Sequence, residues 1–177
     1  MPTSANDGAA YTIRRAQRAD SDRLLCMMRE LAAFEFYLDQ FAVDAAALQA
    51  AAFSSSPICQ IWVAEGDGEL QAYAVTYLIP YTYDLRPTLV LKELYVCRAQ
   101  RGSGIGSGLL RAVATFALTQ HAARLKWDVL AGNDEAEAFY RRHGGRRDAK
   151  WLSYQMDEIA LMDLTAQNVL KTQIGLR

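Results

Sequence analysis

The sequence predicts one domain of the mixed α/β class, with helices packed on a mixed, mostly antiparallel sheet. The chain has 177 residues, which is about the length of one domain. Its residues are 51% hydrophobic and 22% charged, as in globular proteins. Apolar residues recur at helical spacing near both ends, whereas the middle is rich in β-branched and aromatic residues. Because no repeat or Gly/Ser linker divides the chain, we expect residues 11–177 to form a single domain.

The first third predicts one strand followed by two helices. Residues 1–10 are expected to be a disordered lead-in, and Tyr11 to Arg15 a short strand. Asp20 is a candidate N-cap for a first helix, whose apolar residues run at helical spacing as far as Ala32. A second helix is predicted from Asp44 to Phe53, before the Ser-Ser-Ser-Pro break.

Three strands and a helix follow. Ile58 to Ala64 and Leu70 to Ile79 are predicted strands, and the EGDGE segment between them predicts a hairpin turn. Thr88 to Cys97 is a third strand of this group. It runs into a glycine-rich turn and then an amphipathic helix with Ile105, Leu109, Ala112, Val113 and Phe116 on one face.

The last third completes the predicted order β-α-α-β-β-β-α-β-α-β. Leu125 to Leu130 is a strand, and Asn133 is a cap for a helix through Arg142 that closes at two glycines. Trp151 to Met156 is predicted as the final strand, and residues 157–177 as a C-terminal helix or tail. Strands and helices in this order predict a mixed sheet with helices packed on it.

Charge and composition exclude several functions. A net charge of −1 gives no basis for nucleic-acid or membrane binding. Cys26, Cys59 and Cys97 form no CxxC pair, which argues against a metal site and a disulfide framework. The start of the chain lacks signal-peptide features, and the longest uncharged run is too short for a spanning helix. We therefore expect a cytoplasmic protein without a metal.

The most informative segment is the glycine-rich turn from Arg101 to Gly106. Glycines let backbone N–H groups converge on one point, and the start of the following helix favours an anion. This pattern predicts a phosphate site, most simply for a pyrophosphate. A GxxxxGK[ST] loop is absent, and the dinucleotide pattern GxGxxG fails because position 107 is Ser107. From these residues alone, a flexible loop before a helix remains an equal alternative.

Three ordered blocks resemble one enzyme superfamily. Arg101-x-x-Gly104-x-Gly106, preceded by Leu94-Tyr95-Val96, resembles the R/Q-x-x-G-x-G/A motif of the GCN5-related N-acetyltransferases (GNAT). Residues 129–144, VLAGNDEAEAFYRRHG, resemble the later strand–Asn–helix segment of that superfamily. The segment ELAAFEFY from residue 30, together with YTYD at 81–84, is similar to the diamine (spermidine/spermine-type) branch.

The resemblance implies acetyl-CoA as the co-substrate and a small-molecule amine as the acceptor. Backbone groups of Leu94 and Val96, on either side of Tyr95, would pair with the pantetheine arm, and the Val96 N–H would polarise the thioester carbonyl. Asn133 would contact the same arm. The pyrophosphate would be held at the loop that begins with Arg101 and continues through Gly102, Ser103, Gly104, Ile105, Gly106 and Ser107.

Tyr140 is the catalytic candidate. In this family the amine attacks the thioester directly, and the thiolate leaving group needs a proton, which a tyrosine hydroxyl can supply. Helical periodicity alone would favour Phe139 and Tyr140 as core residues. The match to the family's F-Y-x-x-x-G signature favours the catalytic role.

The chain departs from the diamine branch on the substrate side. Lys92 stands where that branch usually has an acidic residue, and alternation puts residues 92, 94 and 96 on one strand face. Glu93 should point to the opposite face and is interpreted as structural. Glu35 keeps the acidic position near the first helix, and Trp151 is a further substrate-side candidate. Lys92, with Arg86 and Lys150, indicates an amine that also carries a carboxylate, such as an amino acid or a lysine analogue.

Two other functions stay open at this point. A protein lysine or N-terminal acetyltransferase would use the same cofactor site with a peptide groove. A non-catalytic acyl-CoA sensor would keep the loop but need no general acid. Because the resembled branch commonly forms dimers, we also expect a homodimer.

Overall fold

The computed structural model describes residues 11–80 and 83–174, with side chains described as far as Ala166. The expected lead-in at 1–10, and Tyr81 and Thr82 of the YTYD segment, lie outside the described residues. Contacts divide the chain into two compact units, one ending at Glu137 and the other beginning at Ala138. The single domain expected for residues 11–177 therefore stays a prediction.

One five-stranded sheet organises the first unit, with its strands in sequence order. The strands are β1 (Thr12–Arg15), β2 (Gln60–Gly66), β3 (Glu69–Ile79), β4 (Thr88–Val96) and β5 (Arg124–Lys126). The first four pair antiparallel and β5 pairs parallel to β4. This confirms the predicted mixed, mostly antiparallel sheet. The β2–β3 hairpin turns at Asp67 and Gly68, which both have positive φ, as expected for an Asp-Gly turn.

The described residues form five α-helices. They are α1 (Ser21–Phe34), α2 (Ala45–Phe53), α3 (Ile105–Thr119), α4 (Asp134–Arg142) and α5 (Glu158–Ile174). The predicted Asn133 cap is confirmed, because its side chain accepts from the Ala136 N–H at 3.0 Å. Asp44 also caps a helix, α2, by accepting from the Ala47 N–H at 2.7 Å. Asp20 precedes α1, but its side chain does not cap the helix. Its carboxylate instead binds the Arg14 guanidinium and the Gln17 N–H, because the charged partner competes for it.

Packing of α1 and α2 on one sheet face forms a core of largely buried side chains. Leu24 and Met27 of α1 are fully buried against Val63 and Tyr73 of the sheet. Helix α3 also packs against the sheet. It contacts all five strands, through buried residues that include Ile105, Leu109 and Val113. Burial of such side chains is worth about 1.5–3 kcal/mol each, so the sheet is the rigid element that carries the site.

The predicted strand from Trp151 to Met156 is wrong. The segment has no strand pairing, and Trp151, Leu152 and Tyr154 are exposed. Its alternating pattern is that of a strand, but a strand forms only where a second strand completes its hydrogen bonds. The predicted strand from Leu125 to Leu130 overlaps β5 only at Leu125 and Lys126, because β5 spans Arg124–Lys126.

None of the described helices is long and apolar enough to cross a membrane.

Candidate functional site

The glycine-rich turn between β4 and α3 has the geometry of an anion site. Gly102 and Gly104 adopt φ values of 82° and 89°, which only glycine adopts without strain. Gly104 is the N-cap of α3, so the first N–H groups of the helix lie directly after it without helical acceptors. The Gly104 carbonyl accepts the Tyr11 hydroxyl at 3.1 Å and the Gly108 N–H at 3.0 Å, which fixes the turn against β1.

Close packing at Gly108 makes the Tyr11 contact possible. A Cβ atom at Gly108 would lie 2.8 Å from Ile13 Cδ1 and 2.9 Å from the Tyr11 hydroxyl. Real Cβ atoms do not approach other heavy atoms so closely. The missing side chain therefore lets β1 lie against the first turns of α3.

The end of β4 leaves one backbone edge open beside this turn. β5 pairs only with Thr88 to Val90, whereas β4 pairs with β3 as far as Val96. Among the described residues, the stretch that includes Leu94, Tyr95 and Val96 therefore has a strand partner on one side only. A ligand with amide groups can add to such an edge as another strand would.

Arg101 connects the open edge with the end of α1. Its Nε donates to the Val96 carbonyl at 3.2 Å, and its guanidinium lies 5.7 Å from the centre of the Phe34 ring. The Tyr95 ring packs in the core on the α1 side, and its hydroxyl donates at 2.5 Å to the carboxylate of Glu30, which is exposed on α1. Only the Tyr95 backbone is therefore available at the edge.

A β-bulge changes the expected faces of β4. Val75 pairs with Glu93 and Thr76 pairs with Leu91, so Lys92 is the extra residue. The alternation that placed Lys92 on one face with Leu94 is therefore interrupted between them. Lys92 acts electrostatically on the carboxylates of both Glu93 and Glu35. Sequence reasoning found Lys92 and Glu35 but not the bulge.

Glu93 lies within a group of titratable side chains on the α1 side of the sheet. The buried Tyr73 hydroxyl donates to its carboxylate at 2.8 Å. Burial raises the pKa of Glu93, while the Tyr73 hydrogen bond and Lys92 oppose that rise. Burial also raises the pKa of Glu35, against the attraction of Lys92. We call Glu35, Tyr37, Tyr73, Lys92 and Glu93 the acid cluster.

Tyr37 completes the acid cluster from the end of α1. Burial, with the negative charges of Glu93 and Glu35, raises the pKa of Tyr37 to about 12. Burial and the Glu93 charge likewise raise the pKa of the nearby Cys59 thiol. Burial thus raises the pKa of both carboxylates of the acid cluster, and the charge of Lys92 opposes that rise at each of them.

A groove lies between the end of α1 and the segment that leads into α4. One wall is Ala33, Phe34 and Phe36, and the other is residues 130–135, including Leu130 and Asn133. The predicted ligand residue Asn133 therefore faces the helix end that carries Glu35. Its side chain also caps α4, as described above.

Arg86 lies outside this arrangement. Its guanidinium donates to the carbonyls of His121 and Ala122, at the C-terminal end of α3. These two hydrogen bonds hold the Arg86 side chain at that helix end.

Tyr140 and Trp151 belong to the second unit, and their predicted roles stay predictions. The Tyr140 ring contacts Phe139 edge-on at 5.1 Å, and the Tyr140 carbonyl accepts the N–H groups of His143 and Gly145. Trp151 is 68% exposed, with the Lys150 ammonium 5.1 Å from its ring centre. No group of three or more metal-ligating side chains occurs in the part of the chain that the structure describes.

Comparison with known proteins places the chain among acetyltransferases. A model of the acetyltransferase (GNAT) family matches residues 25–145. The thialysine N-epsilon-acetyltransferase of Sus scrofa is 32% identical over 170 residues, which cover 90% of this chain and 99% of the relative. The human spermidine/spermine N(1)-acetyltransferase-like protein 1 is 26% identical, over 87% of this chain and 24% of that protein.

Solved structures agree on the fold. An integron cassette protein from the mobile metagenome of V. cholerae superposes with a TM-score of 0.74 at 23% identity, covering 89% of this chain and 99% of that one. An aminoglycoside acetyltransferase from a soil metagenomic sample, in complex with sisomicin, has a TM-score of 0.69 at 18% identity, covering 84% of this chain and 97% of that one.

Proposed function

This chain belongs to the acetyltransferase (GNAT) family, and from that premise we propose that it acetylates the side-chain amine of a lysine-type amino acid. Family members use acetyl-CoA as co-substrate, and the enzyme is an N-acetyltransferase for small amines. The acid cluster, where Lys92 lies near Glu35 and Glu93, supports a lysine-type acceptor. Its mixed charge suits an acceptor with both an amine and a carboxylate. The relatives named for thialysine, a lysine analogue, support this choice.

The chain's own residues fit acetyl-CoA, which supplies the acetyl group as a thioester. The glycine turn offers converging N–H groups for the pyrophosphate, with Arg101 beside it. The open edge of β4 offers Leu94 and Val96 backbone groups to the pantetheine amides. The Val96 N–H would polarise the thioester carbonyl, and Asn133 would contact the arm from the far wall of the groove.

Glu93 is the residue we propose to receive the amine's proton. An amine attacks a thioester only when neutral, so a carboxylate with a raised pKa is suited to take the proton of the ammonium. Tyr73 orients that carboxylate through its hydrogen bond. Glu35 helps to attract the ammonium, and Lys92 would bind the acceptor's carboxylate. Tyr140 would donate a proton to the departing thiolate, with Trp151 on the acceptor side.

A matched pair of amines tests the acceptor. Thiol release from acetyl-CoA should be measured with L-lysine, with thialysine and with 1,5-diaminopentane, which is lysine without its carboxylate. We expect kcat/KM for the carboxylated amines to exceed that of the diamine at least tenfold. Equal or better turnover of the diamine would refute the carboxylate's role. Turnover of lysine peptides alone would favour a protein acetyltransferase instead.

We further propose a cytoplasmic homodimer. Free Cys26, Cys59 and Cys97 are compatible with a reducing compartment. Large apolar side chains between Trp151 and Leu164 are more than half exposed in the single chain, and such exposure is typical of contact surfaces. Light scattering after gel filtration distinguishes the monomer from the dimer.

A further inference from the structure

Phe36 combines two features that folding of the chain does not favour. Its φ is 63°, in the left-handed region, and its side chain is 86% exposed. It ends α1 in a turn where the Phe36 N–H donates to Ala33 and the Tyr37 N–H donates to Ala32. Glycine is the usual residue at this position because a Cβ atom strains it. The exposed phenyl ring also gains no burial in return, so packing within the chain does not offset the strain.

The ring borders the groove between α1 and the α4 segment, where Phe34 and Leu130 supply further apolar surface. Phe34 lies toward the cofactor loop, since its ring contacts Arg101. Phe36 instead directly follows Glu35, a member of the acid cluster. An acceptor whose ammonium lies toward Glu35 and Glu93 would therefore extend its hydrocarbon chain past Phe36.

We infer that Phe36 is a specificity-determining residue, which packs against the methylene chain of the acceptor and so selects amines with a chain of lysine length. The inference rests on the proposed function for the class of acceptor. In this arrangement the strained backbone is retained because the strain places the ring over the groove.

A helix-end variant with a matched control tests the inference. Phe36→Gly removes both the strain and the ring. His121→Gly is the control, because His121 ends α3 with φ of 54° and with the same two backbone bonds, from His121 to Leu118 and from Ala122 to Ala117. Both variants should raise the melting temperature by about 2–4 °C as strain is relieved.

Only Phe36→Gly should raise KM for a lysine-type amine, by about tenfold, with kcat and the Kd of acetyl-CoA unchanged. Phe36→Tyr should keep the KM of the wild-type enzyme for the lysine-type amine. With ethylamine, which has almost no methylene chain, Phe36→Gly and the wild-type enzyme should have the same KM. Should Phe36→Gly fail to fold, Phe36→Asn serves, since asparagine tolerates a positive φ.

Unchanged KM in Phe36→Gly would overturn the inference, as would a rise in the Kd of acetyl-CoA, which would place the ring on the cofactor instead. Failure of the proposed function is recognised separately, in the wild-type enzyme, as absence of turnover with lysine-type amines. That result would remove the acceptor on which this inference depends.

Discussion

Replacing Tyr73 by phenylalanine removes one hydroxyl group from the acid cluster and little else. Tyr73 is fully buried, and its hydroxyl donates to Glu93 at 2.8 Å. A hydrogen bond to a charged group is worth about 1.5–3 kcal/mol. Because the bond favours the ionised carboxylate, its loss raises the pKa of Glu93 further above its usual range.

The expected result is a change in the pH profile of the reaction. If Glu93 must be ionised to accept the proton, the acidic limb of kcat/KM moves to higher pH in Tyr73→Phe. A free-energy difference of about 1.4 kcal/mol corresponds to a factor of ten. At pH values below the acidic limb, kcat/KM of Tyr73→Phe should therefore be about 10- to 100-fold lower than that of wild type. At high pH the variant should approach wild type. The measurement is thiol release with a lysine-type amine at saturating acetyl-CoA across the range of stability.

Tyr95→Phe is the matched control for lost stability. Tyr95 is a neighbouring buried tyrosine, with its ring 5.9 Å from that of Tyr73, and its hydroxyl also donates to a carboxylate, that of Glu30. This variant removes a tyrosine hydroxyl and its hydrogen bond from the same core without touching Glu93, so its acidic limb should stay in place. A wild-type to Tyr73→Phe activity ratio that is constant with pH would refute Glu93 as the proton acceptor.

Glu93→Gln should abolish most activity yet be at least as stable as wild type at neutral pH, because burial raises the pKa of Glu93 above 4.5 and its ionisation therefore costs stability as pH rises from 4.5 through the folded-state value. Urea unfolding across that window should show a smaller loss of stability with pH in the variant than in wild type, the remainder coming from Glu35, whose pKa is also raised. Gly108→Ala should lower the free energy of unfolding by up to about 2 kcal/mol, because overpacking against Ile13 and Tyr11 outweighs the gain in helix propensity. Titration calorimetry should also show weaker binding of acetyl-CoA, and a more stable variant with normal affinity would contradict this prediction. Tyr140→Phe should lower kcat by about 100-fold or more with little change in the Kd of acetyl-CoA, whereas undiminished turnover would remove its role as the acid.

Features encoded locally were predictable from the sequence. The glycine turn, α3 and the Asn133 cap each depend on residues adjacent in the chain, and all three are present. The Asp-Gly hairpin is another such case. Turn and cap preferences of this kind are set by neighbouring residues in the chain, so they can be recognised before the tertiary contacts are known.

Features that depend on distant partners were missed. The bulge at Lys92 arises from the register between β3 and β4, which alternation within one strand does not reveal. Glu93 was interpreted as structural because alternation turns it to the face opposite Lys92, and its hydrogen bond with Tyr73, 20 residues away, is not visible in the sequence. The predicted strand at 151–156 failed for the same reason, since its sequence shows the alternation but not which edge would receive it.

The contact between Tyr11 and Gly104 connects an edge strand with the anion turn. β1 pairs with β2 alone, and edge strands are where local opening begins. Whenever β1 detaches, Gly104 loses the hydroxyl that holds its carbonyl, so the detached state should bind acetyl-CoA more weakly. By linkage, acetyl-CoA must then favour the attached state. Amide hydrogens of β1 should therefore exchange more slowly with solvent deuterium when acetyl-CoA is bound, although no residue of that strand touches the pantetheine edge of β4.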